Sequence, residues 1–196
     1  MRFRPTIVVL AAGQGSRFSG PRHKLEQPLA SGSVLGTTLR HALETRLPVA
    51  VVTTEALAPV VADQLARRDI VVIGDEDARR GMGHSIAAGV AERASAAGWL
   101  VLPGDMPLVR PATLLAVAAA LEHHAIAFAQ YRGRRGHPVA FGAELYSELV
   151  MLTGDEGARR LIARYPACAC EVDDPGVLVD VDTVADLEAV RAVAGS

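Results

Sequence analysis

The chain has 196 residues, 50% of them hydrophobic and 21% charged, with 20 basic and 22 acidic side chains and a formal net charge of -2. That length suits one domain with a single well-covered core. The charge balance excludes a nucleic-acid footprint, and no apolar run lasts the roughly 18 residues of a membrane span. Met1-Arg2-Phe3-Arg4-Pro5 leads straight into a strand-like segment with no A-x-A-type cleavage site, so no secretion signal is read and a cytoplasmic location is expected.

Thr6–Ala11 is a short β-branched apolar run, the pattern of a strand buried on both faces. A Gly/Ser/Arg segment follows from Gly13 to Gly20. Leu35, Leu39, Ala42, Leu43 and Leu47 recur on one helical face, which predicts a helix over Leu35–Leu47. Val49–Thr53 reads as a second buried strand, the stretch after Glu55 to Arg68 as a helix, and Ile70–Ile73 as a third strand. A charged loop from Asp75 to Gly83 leads into a helix over His84–Ala97. Trp99–Leu102 is a fourth strand and ends in Pro103-Gly-Asp-Met-Pro107. Residues 112–122 predict a helix and Ile126–Gln130 a strand. Tyr131–Gly142, rich in arginine and glycine, reads as an excursion or hairpin away from the sheet. Short helices near Ala143–Leu149 and Asp155–Arg164 come next, then strand-like 168–172 and 177–181, and a last helix from about Thr183. Such strand–helix alternation predicts an α/β fold, a mainly parallel sheet with helices on both faces.

Open α/β sheets bind ligands at the carboxyl ends of their strands, and three informative segments fall there. In the first, Leu10-Ala-Ala-Gly13-Gln-Gly15-Ser-Arg17, glycines directly after a buried strand let backbone N–H groups approach an anion. Arg17 and Lys24 add charge suited to a di- or triphosphate. No Gly-Lys-Ser/Thr of a P-loop occurs, and Gly13, Gly15 and Gly20 are spaced too widely for a dinucleotide fingerprint. In the second, Asp105 stands between Pro103 and Pro107, placed to offer a carboxylate to Mg²⁺. In the third, Asp180 and Asp182 fall on one side of an extended segment; Asp182 reads as a second metal ligand, as the cap of the helix beginning near Thr183, or as both.

Lys24 is the only lysine, the other 19 basic residues being arginine, and asparagine is absent. A position that keeps lysine against such a bias is a candidate for needing a compact ammonium. Cys168 and Cys170 lack further ligands at zinc spacing and read as small buried residues on one strand face. His137 either contacts a substrate or helps Gly136-His-Pro138 fix a turn.

Leu10-Ala-Ala-Gly-x-Gly-Ser-Arg17 with Lys24, Gly81-Met-Gly-His-Ser85, Pro103-Gly-Asp-Met-Pro107, Arg135-Gly-His-Pro-Val139, Gly154-Asp-Glu-Gly-Ala-Arg159 and Asp180-Val-Asp-Thr183 occur in this order over nearly the whole chain. This ordered set resembles the MobA-like nucleotidyltransferases, most closely their molybdenum cofactor cytidylyltransferase branch. The resemblance implies a Rossmann-like nucleotide-diphospho-sugar transferase fold in one domain, residues 1–110 serving the nucleotide and 111–196 the acceptor. It implies an Mg²⁺-dependent transfer of CMP from CTP (or of GMP from GTP) to the phosphate of molybdopterin, with pyrophosphate release and a molybdoenzyme as eventual recipient of the product.

By the same resemblance, Leu10, Ala11, Ala12, Gly13, Gly15, Ser16, Arg17 and Lys24 hold the nucleotide's phosphates, while Thr53, Gly83 and Ser85 lie against the nucleotide. His137, Asp155, Gly157 and Arg159 face the acceptor. Arg17, Lys24 and Asp105 are the catalytic set, and Asp105 and Asp182 hold the metal. The gap from Arg17 to Lys24 exceeds the family's usual Arg-Phe/Met-Gly-x-x-Lys spacing, which leaves Arg22 as a second carrier of that charge. Other readings are the same chemistry on a sugar, polyol or other small phosphate, and a nucleotide-binding protein that delivers a cofactor without turnover.

Overall fold

The computed structural model describes residues 3–154 and 158–194. Its centre is β1 (Thr6–Ala11), whose alternate side chains enter two cores. Ile7, Val9 and Ala11 pack into one cluster and Val8 into the other, as a strand covered on both faces requires.

A small antiparallel hairpin, β2 (Pro28–Leu29) and β3 (Gly32–Ser33), precedes α1 (Val34–Glu44). Ser33 caps α1 by accepting from the Gly36 N–H at 3.0 Å, satisfying one of the helix's orphan donors. Then come β4 (Val49–Thr53), β5 (Ile70–Val72), α2 (Asp75–Arg79), α3 (Met82–Glu92), β6 (Gly98–Pro103) and α4 (Pro111–Ala120). The chain continues through β7 (Ile126–Tyr131), β8 (Arg134–Gly142), α5 (Tyr146–Leu149), α6 (Arg159–Arg164), β9 (Ala167–Glu171) and α7 (Val184–Ala194).

Among the described residues the main sheet has seven strands in the order β5-β4-β1-β6-β8-β7-β9. β1 pairs in parallel with β4 and β6, β4 with β5, and β7 with β9, while β8 is antiparallel to both neighbours. α1, α4 and α7 supply Leu35, Leu39, Leu114, Val117, Leu187 and Val190 to one core. α3, α5 and α6 supply Ile86, Val90, Leu149 and Leu161 to the other. The fold is the expected α/β sandwich.

Four local expectations are corrected. Residues 55–68 form only 3-10 turns, Ala58–Val60 and Arg67–Asp69. Pro59 has no N–H to give and its ring disfavours a continuing α-helix, so most bonds close three residues apart, as from Val60 to Leu57 at 3.0 Å, and the four-residue closures at Ala58 and Leu65 do not join into a helix. The segment Asp75–Gly83 is not all loop, because Asp75, Glu76 and Asp77 favour a helix N-terminus and α2 forms there. α3 accordingly begins at Met82 and ends at Glu92, where the Trp99 indole N–H claims the Arg93 carbonyl at 3.1 Å.

Tyr131–Gly142 does not leave the sheet. Its second half is apolar and inserts β8 between β6 and β7, with Trp99 opposite Phe141 and Val101 opposite Val139. Finally, 177–181 is no strand: Pro175–Leu178 is a 3-10 turn, and the Val181 N–H goes to the Asp105 carbonyl at 2.9 Å instead of to a ladder. The helix predicted over Asp155–Arg164 is described from Arg159, and residues 155–157 lie outside the described residues.

The 174–182 segment is fastened by Asp174. This buried carboxylate accepts from the Thr113 hydroxyl at 2.6 Å, the Arg110 N–H at 2.9 Å and the Gly176 N–H at 3.1 Å. Gly136 in β8 lies so close beneath it that a methyl group would overlap the Val177 carbonyl. Gly136→Ala is therefore expected to lower stability by about 2 kcal/mol, read as a shift in denaturant midpoint at constant slope.

Candidate active site

The carboxyl ends of β1 and β6 lie side by side and open on a cavity of about 740 Å³. From β1 the backbone turns through Ala12, Gly13, Gln14, Gly15, Ser16 and Arg17, all on the cavity wall. Gly15 takes φ +61°, which a side chain disfavours. The His23 ring holds this loop: Nδ1 lies 3.2 Å from the Leu25 N–H and accepts from it, leaving Nε2 as donor to the Gly13 carbonyl at 2.9 Å. His23 is a positioning residue that sequence reasoning missed, and only its place directly before the lone lysine hinted at it.

Two backbone bonds bring the acidic residues to the loop. The Gly104 N–H donates to the Leu10 carbonyl at 2.8 Å, and the Val181 N–H to that of Asp105 at 2.9 Å. Lys24, 9% exposed, reaches Asp105 Oδ2 at 2.6 Å and Asp182 Oδ1 at 2.7 Å. Arg17, its side chain 76% exposed, meets Asp182 Oδ2 at 2.7 Å. Burial alone would pull the Lys24 ammonium down; Asp105 and Asp182 outweigh it and hold its pKa above the ordinary lysine value. Arg22 is exposed and is not among the residues around the cavity.

Asp105, Asp180 and Asp182 offer carboxylate oxygens that all lie within 4.8 Å of one another. Burial first, then Asp182 and Asp105, pushes the Asp180 carboxyl above its ordinary value. Asp105 Oδ1 is buried without a hydrogen-bond partner among the described residues. An oxygen-only donor set with an orphaned lone pair fits a hard divalent cation. The cap of α7 falls to other residues: Thr183 Oγ1 accepts from the Asp186 N–H at 3.2 Å, and Asp186 accepts from the Thr183 N–H at 2.7 Å. Asp182 is thus not the cap, and its carboxylate faces the cations.

The remaining expected site residues divide. Leu10 and Ser85 line the cavity, whereas Ala11 and Thr53 are fully buried, the Thr53 hydroxyl turned to the Ala11 carbonyl at 3.4 Å. Gly83 is buried in α3, and its N–H is taken by the Gly154 carbonyl at 3.0 Å. His137 lies within β8 rather than in a turn and borders both this cavity and a second one of about 250 Å³. Burial holds its imidazole below the ordinary range. Arg159 lines the second cavity with Ile86, Val139 and Phe141. Asp155 and Gly157 lie outside the described residues. Sequence reasoning missed Arg79 and Arg134 on the main cavity's wall. Cys168 and Cys170 sit half-buried on β9, with the Cys170 thiol pushed up to about 11 by burial and by Cys168.

The family model of the MobA-like NTP transferase domain matches residues 7–169. The purine catabolism protein PucB of Bacillus subtilis is 32% identical over 94% of this chain and 94% of its own length. The bifunctional protein GlmU of Dinoroseobacter shibae is 41% identical over 58% of this chain, which spans 26% of that protein. Among solved structures, Rv0371C of Mycobacterium tuberculosis in complex with manganese superposes with a TM-score of 0.79 at 29% identity, covering 96% of this chain and 98% of that one. No helix of the described residues is long and apolar enough to cross a membrane.

Proposed function

The chain belongs to the MobA-like NTP transferase family, as a nucleotidyltransferase with the nucleotide-diphospho-sugar transferase fold, and on that premise we propose that it transfers CMP from CTP to the phosphate of molybdopterin or its molybdenum-loaded form. Pyrophosphate leaves, and the product passes to a molybdoenzyme. The observation that carries this reading is the convergence on one cavity of the 13–17 loop, Lys24, Asp105 and Asp182. Residues 1–110 serve the nucleotide and 111–196 the acceptor.

In nucleotidyl transfer the protein does little covalent work; it positions the reactants and offsets developing negative charge. Residues 13–17 line the cavity, where their backbone N–H groups would serve as donors for a polyphosphate. Arg17 and Lys24 supply full charge where pyrophosphate builds up negative charge. Arg135 and His137, which line both cavities, orient the acceptor together with Arg159 of the second cavity. A phosphate monoester is already anionic near neutral pH, so no general base is needed. An oxygen of the acceptor phosphate forms the new bond to the α-phosphorus as the bond to the bridging oxygen of pyrophosphate breaks. Asp105 and Asp182, with Asp180 beside them, would hold Mg²⁺, which supplies Lewis-acid polarisation of the phosphate oxygens when bound. Leu-Ala-Ala-Gly in the loop, in place of Leu-Ala-Gly-Gly, supports CTP over GTP.

The test is a panel of four nucleoside triphosphates with molybdopterin and Mg²⁺, read by pyrophosphate release and product mass. A cytidylylated molybdopterin formed with CTP is expected. A product formed only with a sugar or polyol phosphate moves the acceptor, and nucleotide binding without turnover on any acceptor makes the chain a cofactor-delivery protein.

A further inference from the structure

Three carboxylates with oxygens within 4.8 Å of one another repel unless a cation stands among them. In this chain that cation is a side chain. The Lys24 ammonium holds one oxygen of Asp105 at 2.6 Å and one of Asp182 at 2.7 Å, while Arg17 holds the other Asp182 oxygen. A divalent ion in the same cluster would take oxygens at roughly 2.0–2.6 Å. It would therefore contend with Lys24 and Arg17 for Asp182, both of whose oxygens they hold, and share Asp105 with Nζ through the oxygen that has no partner among the described residues. Lysine suits such a post: its charge is compact, its three donors rotate, and its stem is flexible, whereas a guanidinium is a rigid planar fork.

Resting on the nucleotidyltransferase reading above, we propose that Lys24 is a tethered counter-ion that neutralises the Asp105–Asp182 cluster in the nucleotide-free protein and yields it to a divalent cation only when the nucleotide arrives. Two consequences follow from charge alone. Before the nucleotide binds, divalent-ion affinity is held low, because the ammonium already neutralises both carboxylates and its charge-assisted hydrogen bond to Asp182 stands in the ion's way. After it binds, the released ammonium has a new anion, the polyphosphate, on the loop beside it. Metal and nucleotide then bind with positive coupling, and Lys24 is the residue that couples them.

Because Lys24 is the chain's only lysine, the ¹⁵N resonance of its ε-ammonium is the single signal of its kind, and wild-type protein reports its surroundings directly. Mg²⁺ with CTP is expected to move that resonance; a resonance that stays in place while both are bound overturns the proposal. Independently, Mn²⁺ affinity without nucleotide is measured by electron paramagnetic resonance on wild type and Lys24→Met. The variant is expected to bind Mn²⁺ about tenfold more tightly, with Lys24→Gln as the substitute should the methionine variant fail to fold. Equal affinities, in a wild type that still turns over CTP, overturn the counter-ion role alone. Absence of Mn²⁺ binding from both, together with no pyrophosphate release, overturns the nucleotidyltransferase reading beneath it.

Discussion

Asp105→Ala is expected to lower turnover about a thousandfold or more while leaving the fold in place. The carboxylate stands at the meeting point of the site, 2.6 Å from the Lys24 ammonium, and its second oxygen is buried without a partner among the described residues. The loop that carries it is held by main-chain bonds, Gly104 to Leu10 and Val181 to Asp105, which alanine preserves. Lys24 also keeps Asp182, so no buried charge is left alone, and one of three mutually repelling carboxylates is gone. Stability should therefore stay within about 1 kcal/mol of wild type. Pyrophosphate-release kinetics and a thermal melt measure the two sides; near-normal turnover would refute the role of this carboxylate.

Lys24→Arg keeps the charge and should still lower kcat/KM for CTP about a hundredfold. The side chain is almost wholly covered, and its ammonium bridges carboxylates that arrive from two different segments, at 2.6 and 2.7 Å. A guanidinium is wider, prefers two parallel acceptors on one partner, and would settle bidentate on one aspartate while displacing the other. Long-range attraction for a polyphosphate is unchanged by the substitution, so any loss measures shape rather than charge. An unchanged rate would return the lone lysine to a coincidence of composition.

The parallel half of the fold was legible in the sequence, because buried parallel strands are short continuous apolar runs and Thr6–Ala11, Val49–Thr53 and Trp99–Leu102 are such runs. β8 was not. Its first residues, Arg134 and Arg135, lie at the cavity and its apolar residues come only from Val139, so a central strand carried the composition of a loop. Residues 55–68 misled for the opposite reason: their helical composition was interrupted at Pro59, a position the broad pattern did not weigh. In the site, motif order singled out Lys24, Asp105 and Asp182, and these are the residues the fold brings together. What the sequence could not show was dependence on folding. His23 acts through a ring-to-carbonyl bond to Gly13. Thr53, at the end of a strand that borders β1, turns its hydroxyl inward to the Ala11 carbonyl.

The most direct test is anomalous scattering from crystals of the protein grown with Mn²⁺ and CTP. The account predicts a manganese peak at coordination distance from Asp105 and Asp182, the triphosphate along residues 13–17, and Lys24 withdrawn from at least one of the two carboxylates. A triphosphate and manganese seated elsewhere, with Lys24 still bridging Asp105 and Asp182, would contradict it.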